Sequence, residues 1–285
     1  MKLIEPKVEL LSELDISPES HIARCVRVCY GKEHKEPNQE ADKKMVEGLM
    51  KREHLSMLRH GSMYLSHIED IPKYLETHIF NSSYWDYNAC YGYASTNLQE
   101  FMFDEIRLPR DFCKESITVI DNNRFLEECA KHSKLFELYR LTFCITTQIS
   151  TSRELNRVSP NNIAERSTRY CSQKDGLVIC KPWWWNDDSR RINKIRYESS
   201  INKTQLCYQG MIDDGMKLED ARGILPLDTA TKVIYTYNIR EWRHIIGLRY
   251  YGTTGRPHPN ARLVIGMVRE QINNFAKEHN IDYKV

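Results

Sequence analysis

Along the segment ADKKMVEGLMKREH, apolar Met45, Val46, Leu49 and Met50 recur at helical spacing among charged neighbours. The pattern predicts an amphipathic helix that delivers His54, Ser56 and His60 to its C-terminal end. A second helix is read over Leu135 to about Asn156, stopping before Pro160, because the residue preceding a proline is biased away from helical geometry. Val233 to Tyr237 is β-branched and aromatic and reads as a short strand. Asn238 can then cap a helix, and Glu241 three residues later completes a capping-box pattern. Within that helix Trp242, Ile245, Ile246 and Arg249 share one face, so a guanidinium continues an apolar stripe. No repeat, low-complexity tract or Pro/Gly/Ser-rich linker divides the chain, and residues 1–285 are read as one domain.

Composition narrows the class. The chain has 285 residues, with 41 basic against 39 acidic side chains and a formal net charge of +2. Near-neutral charge argues against a general nucleic-acid binder, which needs a basic surplus to displace counterions. Any anion site must therefore be local. The nine cysteines are scattered, with no CxxC pair and no Cys/His metal spacing. The N-terminus, MKLIEPKVELLSELD, lacks the apolar run of a signal peptide. Nowhere do about eighteen apolar residues run together, so no membrane span is expected. A reduced, cytoplasmic, soluble protein is the expectation.

Against that background, SRELNRVSPNNIAERSTRYC concentrates charge. Arg153, Arg157, Arg166 and Arg169 fall within seventeen residues around a polar turn. A guanidinium offers two parallel charge-assisted donors to a phosphate. Ser167 and Thr168 add hydroxyls beside Arg169, which makes either a phosphate cradle or a solvated face. Arg249 on its apolar stripe has three readings: an internal ion pair, a side chain reaching solvent, or a ligand-facing cation. Cys171 is either a nucleophile activated by Arg169 or a small buried hydrophobe. His54 and His60 can be core or surface histidines. The Trp183-Trp184-Trp185 run suits core or interface packing better than base stacking, since Asp187 and Asp188 flank it.

The order of these pieces adds information. ARCVRVCYG near Arg24, HLSMLRH from His54, RELNRVSPNNIAERSTRYC, ARGILP from Ala221, and NIREWRHIIGLR followed by RPHPNARL resemble successive blocks of the flavin-dependent thymidylate synthases. The resemblance implies an α+β fold, a mixed α/β single domain with helices packed on a central sheet. It implies methylation of the uracil of dUMP without an enzymic nucleophile. Methylenetetrahydrofolate would supply the carbon, and reduced FAD, itself reduced by NADPH, the hydride. Ser167, Arg169 and Arg222 would hold the nucleotide phosphate, and Glu154 and Glu165 its sugar and neighbouring polar groups. Arg249 would face the pyrimidine as the catalytic cation. His54, Ser56, Arg157, Asn238 and His244 would surround the flavin. A homotetramer with sites at subunit junctions is implied, with neither nucleic acid nor membrane as partner.

The chain departs from the family pattern in places. The signature Arg-His-Arg reads Arg157-Val158-Ser159, the acidic residue before the second histidine is Arg59, and Arg153 and Arg166 occupy positions where many relatives differ. Extra length falls around Asp111 to Lys134 and near 183–190. These departures leave two alternatives: the same chemistry on another pyrimidine nucleotide (UMP, dCMP or CMP), or a catalytically silent nucleotide-binding paralogue.

Overall fold

The computed structural model describes residues 1–33, 35–67, 85–107, 118–158 and 161–285. Ser159, Pro160 and the stretch 111–117 lie outside the described residues.

Strands β7 (Arg140–Gln148) and β10 (Ala230–Asn238) pair antiparallel over nine positions, from Ala230 opposite Gln148 to Asn238 opposite Arg140. Strand β2 (Lys7–Leu10) adds to the free edge of β7 and β8 (Ile163–Glu165) to that of β10, both antiparallel. The sheet order is β2-β7-β10-β8. Alternate side chains leave opposite faces of a strand. Phe143, Ile145, Val233 and Tyr235 join one core cluster, which includes Val264, Ile265, Val268 and Ile272 of helix α9 (Pro259–Glu278). Cys144 and Ile234, on the other face, pack with Cys25 and Val28 of helix α1 (Pro18–Cys29). Ser17 caps α1 by accepting from the Ser20 amide, and Pro18 occupies its first turn.

The helix expected over Leu135 to Asn156 is corrected by this arrangement. Ser133–Leu138 forms a short 3-10 turn, β7 follows, and only Ile149–Leu155 is helical, as α5. Every residue of β7 is buried. A strand covered on both faces shows no alternation of apolar and polar positions, so periodicity does not separate it from a buried helix. Its Thr142, Phe143, Ile145, Thr146 and Thr147 have the β-branched and aromatic character that favours a strand. The remaining expected elements are present: helix α2 (Gln39–Lys51) and the strand with its capped helix α8 (Ile239–Ile246).

A second antiparallel sheet, not foreseen, runs in the order β4 (Asp86–Asn88), β5 (Tyr93–Asn97), β3 (Ser62–Ser66), β6 (Thr118–Ile120). Helices α3 (Leu98–Arg107) and α4 (Asn122–Lys131) accompany it. Tyr64 ties it to the first sheet: its ring stacks on Phe125 at 4.3 Å, and its hydroxyl accepts from the Arg140 amide at 2.9 Å. Strand β1 (Lys2–Ile4) pairs in parallel with β9 (Val178–Cys180). The extra length after Trp183 leads into α6 (Arg191–Asp213), a 23-residue helix that buries only Ile201 and Tyr208, and then the short α7 (Leu218–Ala221). Among the described residues no helix is long and apolar enough to cross a membrane. The architecture is the expected mixed α/β one, with helices on a central sheet.

Candidate active site

Helix α5 springs directly from the buried end of β7, and its first amides are already satisfied. Ile149 and Ser150 donate to the carbonyls of Thr229 and Leu227, and the Gln148 carbonyl oxygen Oε1 accepts from Thr151 Oγ1 at 2.9 Å. This fixes the start of α5 beside β8 and β10. The three elements, with the segment 166–168 and Arg222, enclose a cleft of about 320 Å³.

Glu165 projects into that cleft from β8 and is held from three sides. Ser152 Oγ donates to it at 2.8 Å, Thr231 Oγ1 at 3.1 Å and Asn156 Nδ2 at 3.3 Å. The carboxylate is thus positioned before any ligand arrives. Around it the cleft carries Arg153, Arg166, Arg222, Ser167 and Thr168. Three guanidiniums to one carboxylate make an anion-attracting mouth in a chain whose overall charge is almost zero.

Not all of that charge is free. Arg166 pairs with Glu33 at 2.5 Å, and Lys232 reaches the same carboxylate at 2.9 Å. Burial pushes the Glu33 carboxyl up, but the Lys232 hydrogen bond and the two cations together hold it below its ordinary value. Arg169 stands exposed and donates twice to Glu219, at 2.8 and 3.2 Å. It is not among the residues that line the cleft. Arg222 is exposed, donating to Thr168 Oγ1 at 3.4 Å and to the Glu219 carbonyl at 3.1 Å. Of the predicted phosphate ligands, the chain therefore gathers Ser167 and Arg222 with Glu165, while Arg169 is engaged next door. Arg153 joins them instead. The sequence reading does not single out Ser152, Asn156 and Thr231, because their shared partner Glu165 lies 13, 9 and 66 residues away along the chain and only the fold brings them to it.

Arg249 follows α8 in a wide π-type turn, Gly247–Tyr251, closed by Gly252 at φ 74°. A Cβ at Gly252 would stand 2.9 Å from the Gly255 carbonyl, so only glycine suits that exit. The Arg249 side chain is 17% exposed and meets Glu154: Nη2 donates to its carbonyl at 3.1 Å, and Nη1 lies 3.6 Å from its carboxylate. Two predicted substrate residues are therefore in contact, as the internal ion pair. Arg249 Nε is buried without an acceptor.

The predicted flavin residues behave differently from one another. His54 precedes the 3-10 segment Leu55–His60, and His54, Ser56, Arg157 and His244 are exposed. None of them lines the cleft. Asn238 is buried and already engaged. Its Oδ1 caps α8 by accepting from the Glu241 amide at 2.8 Å, and its Nδ2 donates to Asp86. His60 is fully buried and Val158 sits in the main core. Burial pushes the Cys171 thiol up, with Arg166 pulling only partly against it, the opposite of an activated nucleophile.

Residues 83–276 match the model of the family described as thymidylate synthase complementing protein. The chain belongs to that family. The matched span contains the blocks at 153–171, 221–226 and 238–263, whereas the Arg24 and His54 blocks precede it. A flavin-dependent thymidylate synthase of Geobacter sulfurreducens is 30% identical over 143 residues, which are 49% of this chain and 61% of that protein. One from Pyrococcus horikoshii is 24% identical over 182 residues, 62% of this chain and 67% of that protein. One from Mycobacterium tuberculosis is 28% identical over 131 residues, 41% of this chain and 52% of that protein. Among solved structures, a UMP/dUMP methylase PolB from Streptomyces cacaoi superimposes with a TM-score of 0.46 at 16% identity, covering 97% of this chain and 93% of that one. Family membership and the motif order agree.

Proposed function

We propose that this protein methylates a pyrimidine nucleotide, dUMP by preference, with methylenetetrahydrofolate as carbon donor and FAD, reduced by NADPH, as the flavin. The observation that carries the reading is the cleft of Ser167, Arg222, Arg153 and Glu165 in a family whose named relatives are flavin-dependent thymidylate synthases. Arg222 and Arg153 would neutralise the phosphate while Ser167 and Thr168 donate to it. Glu165, fixed by its three donors, would accept from a sugar hydroxyl. Glu154 would contribute from the next position on α5. Arg169 would join once the phosphate competes with Glu219. Arg249 would stabilise negative charge developing on the pyrimidine, work suited to a guanidinium that cannot lose its proton. Its unpartnered Nε supports that role, because a buried donor without an acceptor suits a site completed by a ligand.

The flavin supplies the hydride when bound. For holding it, the exposed His54, Ser56, Arg157 and His244 fit, since each is available for a polar contact; Asn238 fits less well, its amide being taken by Asp86 and the helix cap. Those exposed residues do not share the cleft, which supports a homotetramer whose sites are completed at subunit junctions. One domain spanning 1–285 and a cytoplasmic location complete the proposal.

The test is twofold. FAD titrated into apo-protein should give saturable fluorescence quenching at micromolar protein. NADPH oxidation with methylenetetrahydrofolate should then depend on the nucleotide offered, dUMP ahead of UMP, dCMP and CMP. Saturable FAD binding with dUMP inert would transfer the reading to another nucleotide; a protein that refuses FAD defeats it.

A further inference from the structure

We propose a second binding site, separate from the cleft around Glu165, on the outer face of α9: a groove for a multiply charged anion that carries a flat ring. The groove has a volume of about 960 Å³, within the range of small-molecule sites, and shares no lining residue with the cleft. Its charged walls are Arg256, Arg262 and Arg269, and its rings are the exposed Trp183 and the half-buried Tyr250.

Among the described residues these arginines, like Arg153 and Arg222 of the cleft, pair with no carboxylate, although Glu270 lines the same groove. Elsewhere Arg27, Arg166, Arg169, Arg240, Arg243 and Arg249 each meet a carboxylate. Rings hold two of the groove arginines instead. Arg262 and Arg269 lie 5.4 and 5.5 Å from the centroid of Tyr250, and Arg269 Nε donates to the Tyr251 hydroxyl at 2.9 Å. Residues 262, 266 and 269 fall on one side of a helix. A Cβ at Gly266 would stand 3.1 Å from Tyr250 Cε2, so the missing side chain lets the tyrosine ring lie against α9 between the two guanidiniums.

This construction orients cations without neutralising them. A guanidinium stacked on a ring keeps its in-plane N–H groups for an acceptor. Trp183, 46% exposed, is anchored through its amide to Asn260 Oδ1 at 2.7 Å and offers a second ring at the groove wall. Charge selects an anion and the rings select a planar partner. Two sources carry that chemistry, a nucleotide phosphate and a ring-bearing polycarboxylate.

Calorimetric titration of the full-length protein, loaded with one equivalent of FAD and freed of the excess, separates the possibilities. The probes are ADP, p-aminobenzoyl-tetraglutamate, pyrophosphate and adenosine. Either or both ring-bearing anions should bind saturably and quench tryptophan fluorescence, whereas pyrophosphate and adenosine bind at least about tenfold more weakly. The double variant Arg262→Gln with Arg269→Gln should weaken the ring-bearing anion about tenfold or more. Arg256→Gln, whose side chain supports no ring, should weaken it in a protein of unchanged melting temperature, so the proposal stands or falls even if the double variant fails to fold. Arg222→Gln should leave this binding intact. The proposal is overturned by no saturable binding at millimolar probe, by binding indifferent to Arg256→Gln, or by loss of binding in Arg222→Gln. Sedimentation showing that Arg256→Gln dissociates an oligomer would also overturn it, by assigning the groove to a second copy of the chain.

Discussion

At the scale of residues, Arg249 combines an engaged half and an idle half. Its Nη atoms meet Glu154, yet Nε is buried without an acceptor, an omission that costs about 1–3 kcal/mol in a purely structural side chain. Lysine at 249 keeps the charge and loses the fork. Arg249→Lys should therefore lower turnover about a hundredfold or more, as loss of a positioned donor to a developing anion does. Melting temperature should shift by only a few degrees. A variant that melts much earlier while keeping its activity per folded molecule would reduce Arg249 to an ion-pair partner. Val158 makes the reverse case. It is 5% exposed in the main core, where the family signature has a histidine. Imidazole at 158 would place polar nitrogens among apolar neighbours and exceed the space of a valine. Val158→His should cost roughly 2–4 kcal/mol in urea denaturation. Stability within 0.5 kcal/mol of the parent would show instead that the site still accommodates the family residue. The Asn238 cap was legible because its oxygen and the Glu241 amide it accepts from lie three residues apart. The partner of Arg249 was not, because Glu154 is 95 residues away along the chain and only the fold brings them together.

At the scale of elements, the central strands carry polar residues whose purpose no single segment reveals. Glu13, His21 on α1, Ser62 on β3, Thr142 on β7, Thr236 on β10 and His60 form a buried chain of hydrogen bonds. Ser62 Oγ donates to Glu13 at 2.8 Å, His21 Nε2 lies 3.0 Å from Thr142 Oγ1, Thr142 and Thr236 hydroxyls are 2.8 Å apart, and His60 Nδ1 is 2.8 Å from Thr236. Arg24 donates to His21 Nδ1 at 2.6 Å, so His21 carries its proton on Nε2. Burial pushes the Glu13 carboxyl up to about 7 and His60 down to about 3, and it holds His21 well below the usual imidazole range. Raising an acid favours the folded state at low pH, and that contribution is lost as pH rises through about 7. Depressing the two histidines works the other way, because the unfolded chain takes up protons there that the fold refuses. Between about pH 6.5 and 4.5 two refused protons oppose one extra proton on Glu13, so these groups together make stability fall with acidification, by the equivalent of about one net proton. Glu13→Gln keeps the hydrogen bonds but removes the opposing proton, and its stability should fall about twice as steeply over that window. Urea midpoints at several pH values decide it, and parallel slopes for the two proteins would refute the assignment. The misread of β7 has the same origin as this network: a strand buried on both faces hides its period and its partners alike.

At the scale of the whole molecule, the expected flavin residues lie outside the cleft. Ser167, Glu165, Arg153 and Arg222 are gathered by β8, α5 and β10 within one chain, while His54, Ser56, Arg157 and His244 are exposed and line none of it. Motif order revealed that these residues belong to one family's chemistry, but a linear order carries no information about which copy of the chain supplies each. If the site forms at subunit junctions, two defects placed on opposite sides of a junction need not fall in the same site. His54→Ala and Arg222→Gln should each lose most dUMP-dependent NADPH oxidation when assembled alone. Co-assembled in equal amounts, they should regain activity, since random mixing leaves roughly a quarter of the junctions with both intact residues. The measurement is turnover of a co-refolded mixture, with subunit exchange confirmed by native mass spectrometry of differently tagged copies. Recovery well above both parents places His54 and Arg222 on different copies. A fully exchanged mixture no more active than its parents would place both residues in a site built by one chain, and the tetrameric reading of this surface would have to be abandoned.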